Sequence, residues 1–386
     1  MLDALQTIRK IAEIDNKKTG SLGNLKTQEI IKDYLSCFNG NIIQESYPIT
    51  VYFNNKATIY GDNINICGYL YDYTGYNSNN EIKGEIIKVG KVWEIDFLLK
   101  NPKGKIIMCQ SSLLIHRIMQ IHKAVKKGAI AIIIVSNFDD EIVYGTGTSY
   151  LKKPVNIPAI GITKNQAKNI KNGKIYSIKI DYKKKKTIGK NIIFEFEERK
   201  SPTIVIGAHY DGWSYSAQDN TISVYLMFKI IESLKNSPSR YNYRFIFFDS
   251  EELGMVGSYH HLKKNTINNY KIYINLEMVI PANGSNLKII LYPNKLKRFI
   301  PFIKCLINGY IPFPLDFFYK LSKKGFPSDS HFFSLNNIPA ISTFSYSKFY
   351  HTKKDVFENI NLKKIKNIHN VLNQILLNIK NDYRKN

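Results

Sequence analysis

His209 lies in the run Gly207-Ala208-His209-Tyr210-Asp211, and Asp219 follows it ten positions later. Further on come the adjacent acids Glu251 and Glu252, then Glu277 in Asn275-Leu276-Glu277-Met278 and His351 in Tyr350-His351-Thr352. Two imidazoles and a set of carboxylates, with no cysteine among them, suit zinc or a related divalent ion at a catalytic rather than a structural centre. Neighbouring acids are ordinarily just a solvated pair. Here the pair follows a segment too apolar for a surface, so the two can divide the work of a metallohydrolase. One binds the ion, and the other accepts a proton from water whose pKa a metal lowers from about 15.7 to about 7.

The elements that must position these groups are legible around them. Thr203-Ile204-Val205-Ile206, Phe245-Ile246-Phe247-Phe248 and Ile272-Tyr273-Ile274 are short, β-branched or aromatic, and bounded by polar residues, which predicts core strands. His209, the Glu251-Glu252 pair and Glu277 come where those strands end, and ligand crevices of open α/β sheets lie beyond the carboxyl ends of strands. Ser223 to Leu234 keeps apolar side chains at helical spacing, so Asp219 is expected near a helix N-terminus, where a carboxylate is favoured. A first helix is expected over about Thr27 to Phe38, an edge strand over Asn41 to Tyr47, and a last helix over about Leu362 to Lys380.

Taken in order, these residues resemble the di-zinc aminopeptidase family that also holds glutamate carboxypeptidases, the transferrin receptor ectodomain and glutaminyl cyclases. The matching pieces are Lys18-Thr19-Gly20-Ser21-Leu22-Gly23-Asn24, His209-Tyr210-Asp211, Asp219-Asn220, Glu251-Glu252-Leu253-Gly254 with Gly257-Ser258, Asn275-Leu276-Glu277-Met278, Ser328-Asp329-Ser330-His331 and Tyr350 to Asp355. The resemblance implies an α/β three-layer zinc-exopeptidase fold, a mixed central sheet with helices on both faces. It implies two divalent ions, zinc or else cobalt or manganese, bridged by Asp219, with His209 and Glu277 on one and Glu252 and His351 on the other. Glu251 is then the general base, and Asp211 orients the His209 imidazole, as metal-binding histidines usually require.

This chain departs from that family's pattern in three places. Glu277 stands where the family has aspartate, an arm longer by one carbon-carbon bond of about 1.5 Å. Thr221-Ile222-Ser223 replaces the usual small residues after Asp219-Asn220, which narrows the pocket or shifts the helix start. Asp249 adds a third acid beside the catalytic pair and, if turned inward, raises a neighbouring carboxylate's pKa.

Between the opening helix and His209 lies a long segment without ligands. Lys103 to Cys109 is expected as a strand, about Leu114 to Lys127 as a helix, Gly128 to Val135 as a strand, and Ile157 to Ile162 as another. That order resembles the protease-associated domain inserted in several family members, and it is placed at 55–187, which leaves 1–54 and 188–386 as a discontinuous catalytic domain. Lys183-Lys184-Lys185-Lys186 near its end is taken as a solvated linker or hairpin tip.

The remaining histidines, His116, His122, His260, His261 and His369, are assigned surface or packing roles, and His331 either a place by the substrate pocket or a structural one. Cys37 and Cys109 are expected as reduced core residues, with no paired spacing among the four cysteines.

The net charge of +24 raises the question of nucleic acid, but the lysines are scattered and no element concentrates arginine with aromatics. The same field favours acidic peptides or an anionic surface. Lys320, Lys323 and Lys324 would favour a carboxylate-bearing substrate if they line the pocket. No run approaches the ~18 apolar residues of a membrane span, and the first ten residues lack a signal-peptide pattern, so a cytoplasmic enzyme is expected, or a secreted one if the sequence is a processed form. The expected activity is that of a metal-dependent exopeptidase, an aminopeptidase acting on peptides and assembling into oligomers if entry is to be restricted. The alternatives are a single-zinc glutaminyl-cyclase-type enzyme and a non-catalytic binding protein on the same fold.

Overall fold

The structure is a computed structural model that describes residues 3–75, 81–97, 100–112, 115–196, 202–235, 241–280, 287–292, 316–318 and 328–381, the side chains of 288–292, 316–318 and 378–381 excepted. Lys320, Lys323, Lys324 and Cys305 fall outside the described residues. Two compact units emerge, Met1–Pro48 with Ile188–Glu251 and Met255–Asn386 in the first, and Ile49–Thr187 with Glu252–Gly254 in the second.

The first unit is built on a run of strands in the order β7 (Ile175–Glu195), β9 (Asn242–Phe248), β8 (Thr203–His209), β10 (Tyr270–Asn275), β13 (Ala340–Phe344), β11 (Lys288–Tyr292) and β12 (Asp316–Phe318). β9, β8, β10 and β13 are parallel neighbours, while β7 and β11 pair antiparallel, which makes the sheet mixed. Alternation along the strands divides the side chains between two faces. Ile204, Ile206, Phe245, Phe247, Ile272 and Ile274 pack with helices α1 (Ala4–Ala12), α2 (Leu22–Leu35), α5 (Ile222–Leu234) and α8 (Leu362–Asn381). Val205, Ile246, Phe248 and Tyr273 pack instead with Leu262 of α6 (Val256–Lys264) and Phe333 of α7 (Ser330–Leu335). The result is the expected layering, helices on both faces of a mixed sheet. Every residue of β8 is buried, as a strand covered on both faces must be.

Local signals account for most differences from the expected bounds. α2 starts at Leu22 rather than about Thr27, because the Ser21 side chain caps it by accepting the Asn24 N–H at 3.0 Å. Cys37 lies just past the end of that helix and is exposed, not a core residue, whereas Cys109 is buried. The strand expected over Asn41 to Tyr47 continues to Gly61.

In the second unit the strand order is β1 (Asn41–Gly61), β2 (Ile64–Leu70), β6 (Ala159–Ile162), β5 (Ala131–Val135), β4 (Ile106–Gln110) and β3 (Glu81–Lys88), followed by β7. Ile107, Cys109, Ile132 and Ile134 pack with Ile121 and Ala124 of α3 (Arg117–Lys126), and the opposite side chains Ile106, Met108, Ala131 and Ile133 pack with Ala57 and Ile59 of β1. α3 begins three residues after the expected Leu114, since the His116 side chain caps it by accepting the Ile118 N–H. β5 begins at Ala131 because Gly128, at φ +78°, ends the turn before it in a backbone conformation glycine tolerates. Lys183 to Lys186 are all exposed within β7.

Gly207, two residues before His209, has no room for a side chain. A Cβ there would come within 2.6 Å of the Tyr273 hydroxyl and 2.8 Å of Phe248 Cε2. Gly207→Ala is therefore expected to cost about 1–3 kcal/mol through overpacking, read as a lower urea midpoint with unchanged slope. An unchanged midpoint would mean that β8 can shift, and that the site it carries is less rigidly seated than this packing indicates.

Candidate metal centre

β8 delivers His209 at its last residue, and the turn after it brings Asp211 beneath the same ring. The His209 Nδ1 lies 3.2 Å from the Asp211 carbonyl oxygen and 3.5 Å from its Oδ1. With Nδ1–H donating to Asp211, the Nε2 lone pair faces the other way. There Nε2 is 3.2 Å from Asp219 Oδ1 and 3.3 Å from Glu277 Oε1. The second oxygen of Asp219 goes to the second histidine, with His351 Nε2 at 3.2 Å from Oδ2. Asp219 thus stands between two imidazoles, one oxygen toward each. His209, Asp211, Asp219, Glu277 and His351 are all buried.

Ligand-competent atoms of His209, Asp219 and Glu277 lie within 4.8 Å of one another, as do those of Asp219, Glu252 and His351. Asp219 belongs to both sets. The donor chemistry fits divalent ions, nitrogen and oxygen at neutral to negative charge. So does the state of Glu277, whose Oε2 is buried without a hydrogen-bond partner among the described residues, a costly arrangement unless a cation faces it. Glu251, half-buried, donates its backbone N–H to Asp211 Oδ1 at 3.0 Å, so one carboxylate braces both the His209 ring and the backbone of the Glu251-Glu252 pair.

Asp219 sits in a tight turn, Ala217–Thr221, ahead of α5, which begins at Ile222. The replacement Ser223 donates its hydroxyl to Asn220 Oδ1. Asn220 in turn brackets the Glu277 backbone, donating to Leu276 O at 2.8 Å and accepting from Met278 N at 3.1 Å. Thr343 of β13 clamps the same residue, its Oγ1 accepting from Glu277 N at 2.9 Å and donating to Glu277 O at 3.2 Å. The longer arm of Glu277 still brings an oxygen to the cluster.

The electrostatics follow from crowding anions and imidazoles out of water. Burial opposes the His209 imidazolium, but Glu277, Asp211 and Asp219 outweigh it and hold the ring's pKa well above the usual range. Burial likewise raises Asp219, yet hydrogen bonds from His209 and His351 prevail and hold it below the usual carboxylate range. Burial lifts Glu277 above that range. Asp329 and Asp355 are both pushed up to about 7, chiefly by burial.

Asp249 does not turn toward the cluster. It accepts from Thr19 Oγ1 at 2.9 Å, Asn24 Nδ2 at 3.0 Å, Lys190 N at 3.0 Å and Ser250 N at 2.9 Å, and burial raises it to about 7. The Lys18 to Asn24 motif therefore serves as the receptor for this acid. Of the remaining histidines, His261 is buried between Glu45, at 2.8 Å from Nδ1, and the Tyr270 hydroxyl, at 2.9 Å from Nε2, which is a packing role. His260 stacks on Tyr47, and His331 lies in α7 with its ring 4.9 Å from that of Phe332. Sequence reasoning passed over Asn220, Thr343 and Asp355 as individuals. Asn220 and Asp355 lay inside quoted motifs, but only their backbone partners reveal what they hold.

The model of peptidase family M28 matches residues 191–376, and the model of the PA domain matches residues 57–170. Aminopeptidase YwaD of Bacillus subtilis (strain 168) is 31% identical over 202 residues, 50% of this chain and 43% of that protein. A probable lipoprotein aminopeptidase, LpqL of Mycobacterium tuberculosis, is 27% identical over 168 residues, 42% of this chain and 33% of that protein. The chain thus aligns with less than half the length of these two relatives. The solved structure of BSAP, a zinc aminopeptidase from Bacillus subtilis, superposes with a TM-score of 0.77 at 21% identity, covering 96% of this chain and 92% of that one. At that identity the likeness speaks for the fold. The chain is thus similar to peptidase family M28 over residues 191–376 and to the PA domain over residues 57–170.

Proposed function

We propose that this protein is a metal-dependent aminopeptidase that hydrolyses the N-terminal residue of peptides, with two divalent ions, zinc by preference, as its cofactors. The observation that carries the reading is Asp219, which offers one oxygen toward each of two buried histidines and belongs to both ligand sets. The aminopeptidase relatives and the zinc aminopeptidase of the same fold support the substrate class and the metal.

His209, Asp219 and Glu277 would hold one ion, and Asp219, Glu252 and His351 the other. Bound there, the ions would supply Lewis-acid polarisation of the scissile carbonyl and acidify the attacking water. Glu251 takes the proton that the water gives up and returns it to the departing amine, so a single carboxyl acts as base and then as acid. Its backbone is tied to Asp211, which also faces His209, so base and ligand are oriented by the same group.

Metal must displace protons from this cluster. In the metal-free protein the His209 pKa is raised, so the stability its proton lends is complete below the unfolded value of about 6.5 and is lost as pH rises through the higher folded value. Asp329 and Asp355, raised to about 7, act in the same direction over the window between about pH 4 and their folded values. Urea unfolding of metal-free protein is therefore expected to give a lower midpoint at pH 7.5 than at pH 5, while zinc affinity rises over that interval. Equal midpoints would show that the cluster is not protonated as its geometry demands.

Glu251→Gln is expected to retain both ions by elemental analysis and to lose release of leucine, lysine or glutamate from aminoacyl anilides by at least ~10²–10⁴-fold. Near-normal turnover would remove Glu251 from the role. A wild-type chain that takes up no zinc, cobalt or manganese and releases nothing would overturn the aminopeptidase reading itself.

A further inference from the structure

Asp355 is buried at 3% exposure, four residues after His351, and each of its two carboxylate oxygens accepts a hydrogen bond from the same turn. Its Oδ1 accepts from Gln218 N at 2.9 Å and its Oδ2 from Asp219 N at 3.1 Å. Its own carbonyl oxygen accepts from Ala217 N at 3.0 Å. Three successive amides of the turn that carries Asp219 are thus held by one residue. On its own side Asp355 is fixed by turn hydrogen bonds, Thr352 N to Phe349 O at 3.0 Å and Asp355 N to Thr352 O at 3.2 Å, and His351 lies inside that double turn.

A second contact holds the segment just before that turn. Lys17, fully buried, donates its ammonium to the carbonyl oxygens of Ile11, Ile14 and Tyr215, and its charge faces Asp355. A neutral acceptor would have been less costly to bury next to Asp219 than a carboxylate is. What a carboxylate adds is two oxygens in a fixed fork, each able to take one of two adjacent amides.

We propose that Asp355 is a positioning residue for the candidate metal centre: by clamping the amides of Ala217, Gln218 and Asp219 it fixes the Asp219 carboxylate against His351, and so sets the affinity for metal without touching it. The proposal rests on the reading of Asp219 and His351 as metal ligands. Both carboxylate oxygens of Asp355 accept from amides of the turn that carries Asp219, and it acts through that turn. Asp355→Asn keeps the volume but turns a second donor toward a donor, and Asp355→Ala removes the clamp.

The test is zinc affinity of the metal-stripped full chain, measured by competition with a chromophoric chelator, together with the visible absorption of the cobalt-loaded protein as a report on ligand geometry. Asp355→Asn and Asp355→Ala are expected to bind zinc ~10–100-fold more weakly, the usual effect of removing a group that orients a ligand, and to shift the cobalt bands. Glu45→Gln provides the control. Glu45 is a buried acid paired with His261 near the start of β10, whereas Glu277 lies beyond that strand's far end, so the substitution should lower the urea midpoint and leave zinc affinity unchanged.

Folded Asp355 variants with zinc affinity within about threefold of the wild type and unshifted cobalt bands would overturn the proposal. So would failure of both Asp355→Asn and Asp355→Ala to fold, since Asp355 would then be holding the fold rather than the ligand. A wild-type chain that binds no metal would instead overturn the aminopeptidase reading on which the proposal rests.

Discussion

The structure turns on a single buried carboxylate shared by two imidazoles. Asp219 is 4% exposed and places one oxygen 3.2 Å from each of His209 and His351. Around it Glu277, Asp211, Asp329 and Asp355 are also buried, so the end of the sheet accumulates negative charge in a medium that solvates it poorly. Proteins tolerate such a cluster where protons or metal ions neutralise it. Without metal, protons would do so: the acids around His209 hold its pKa well above the usual imidazole range, and burial pushes Asp329 and Asp355 up to about 7. A dication replaces several protons at once, which links loading to pH.

Holding these groups in place requires more than burial, because each candidate ligand comes from a different strand end or loop. The solution is repeated. Asp211 joins His209 to the backbone of Glu251, Asn220 joins the Asp219 turn to both sides of Glu277, and Asp355 joins the His351 loop to the Asp219 turn. Each brace is a polar side chain within four residues of one candidate ligand and bonded to backbone at or beside another residue of the site. A side chain held this way cannot move alone, so the proposed centre would be preorganised for an ion.

How far this could be read from the residues depended on the kind of interaction. The core strands were legible because Thr203 to Ile206 and Phe245 to Phe248 are apolar on both faces, a pattern only a covered sheet explains. The types of the candidate ligands could be proposed because zinc chemistry restricts them to a few side chains. The helix start at Leu22 was not, since it depends on which hydroxyl caps it: Ser21 does so, and nothing in periodicity favours it over later candidates. Nor was the direction of Asp249. An acid beside Glu251-Glu252 looks like part of the centre until Thr19, Asn24 and Lys190, all distant in sequence, are found to receive it. Interactions through the backbone leave no signature in side-chain type, and that is why Asn220 and Asp355 gained their roles only from the fold.

Glu277 shows how the same bracing absorbs a departure. A glutamate in place of aspartate extends the donor by about one carbon-carbon bond, roughly 1.5 Å, while metal-ligand distances tolerate errors of only about 0.2 Å. The difference has to be taken up by the backbone or by the side chain. The backbone here is pinned at four points, by Thr343 on the N–H and C=O of Glu277 and by Asn220 on Leu276 O and Met278 N. Such a backbone cannot easily retreat, so the adjustment falls to the side-chain torsions, and the outcome is an oxygen that still reaches within 3.3 Å of His209 Nε2. The other oxygen remains buried and unbonded among the described residues. A glutamate held this way keeps one oxygen at the centre and leaves the other buried without a hydrogen-bond partner among the described residues, a position that a cation would relieve.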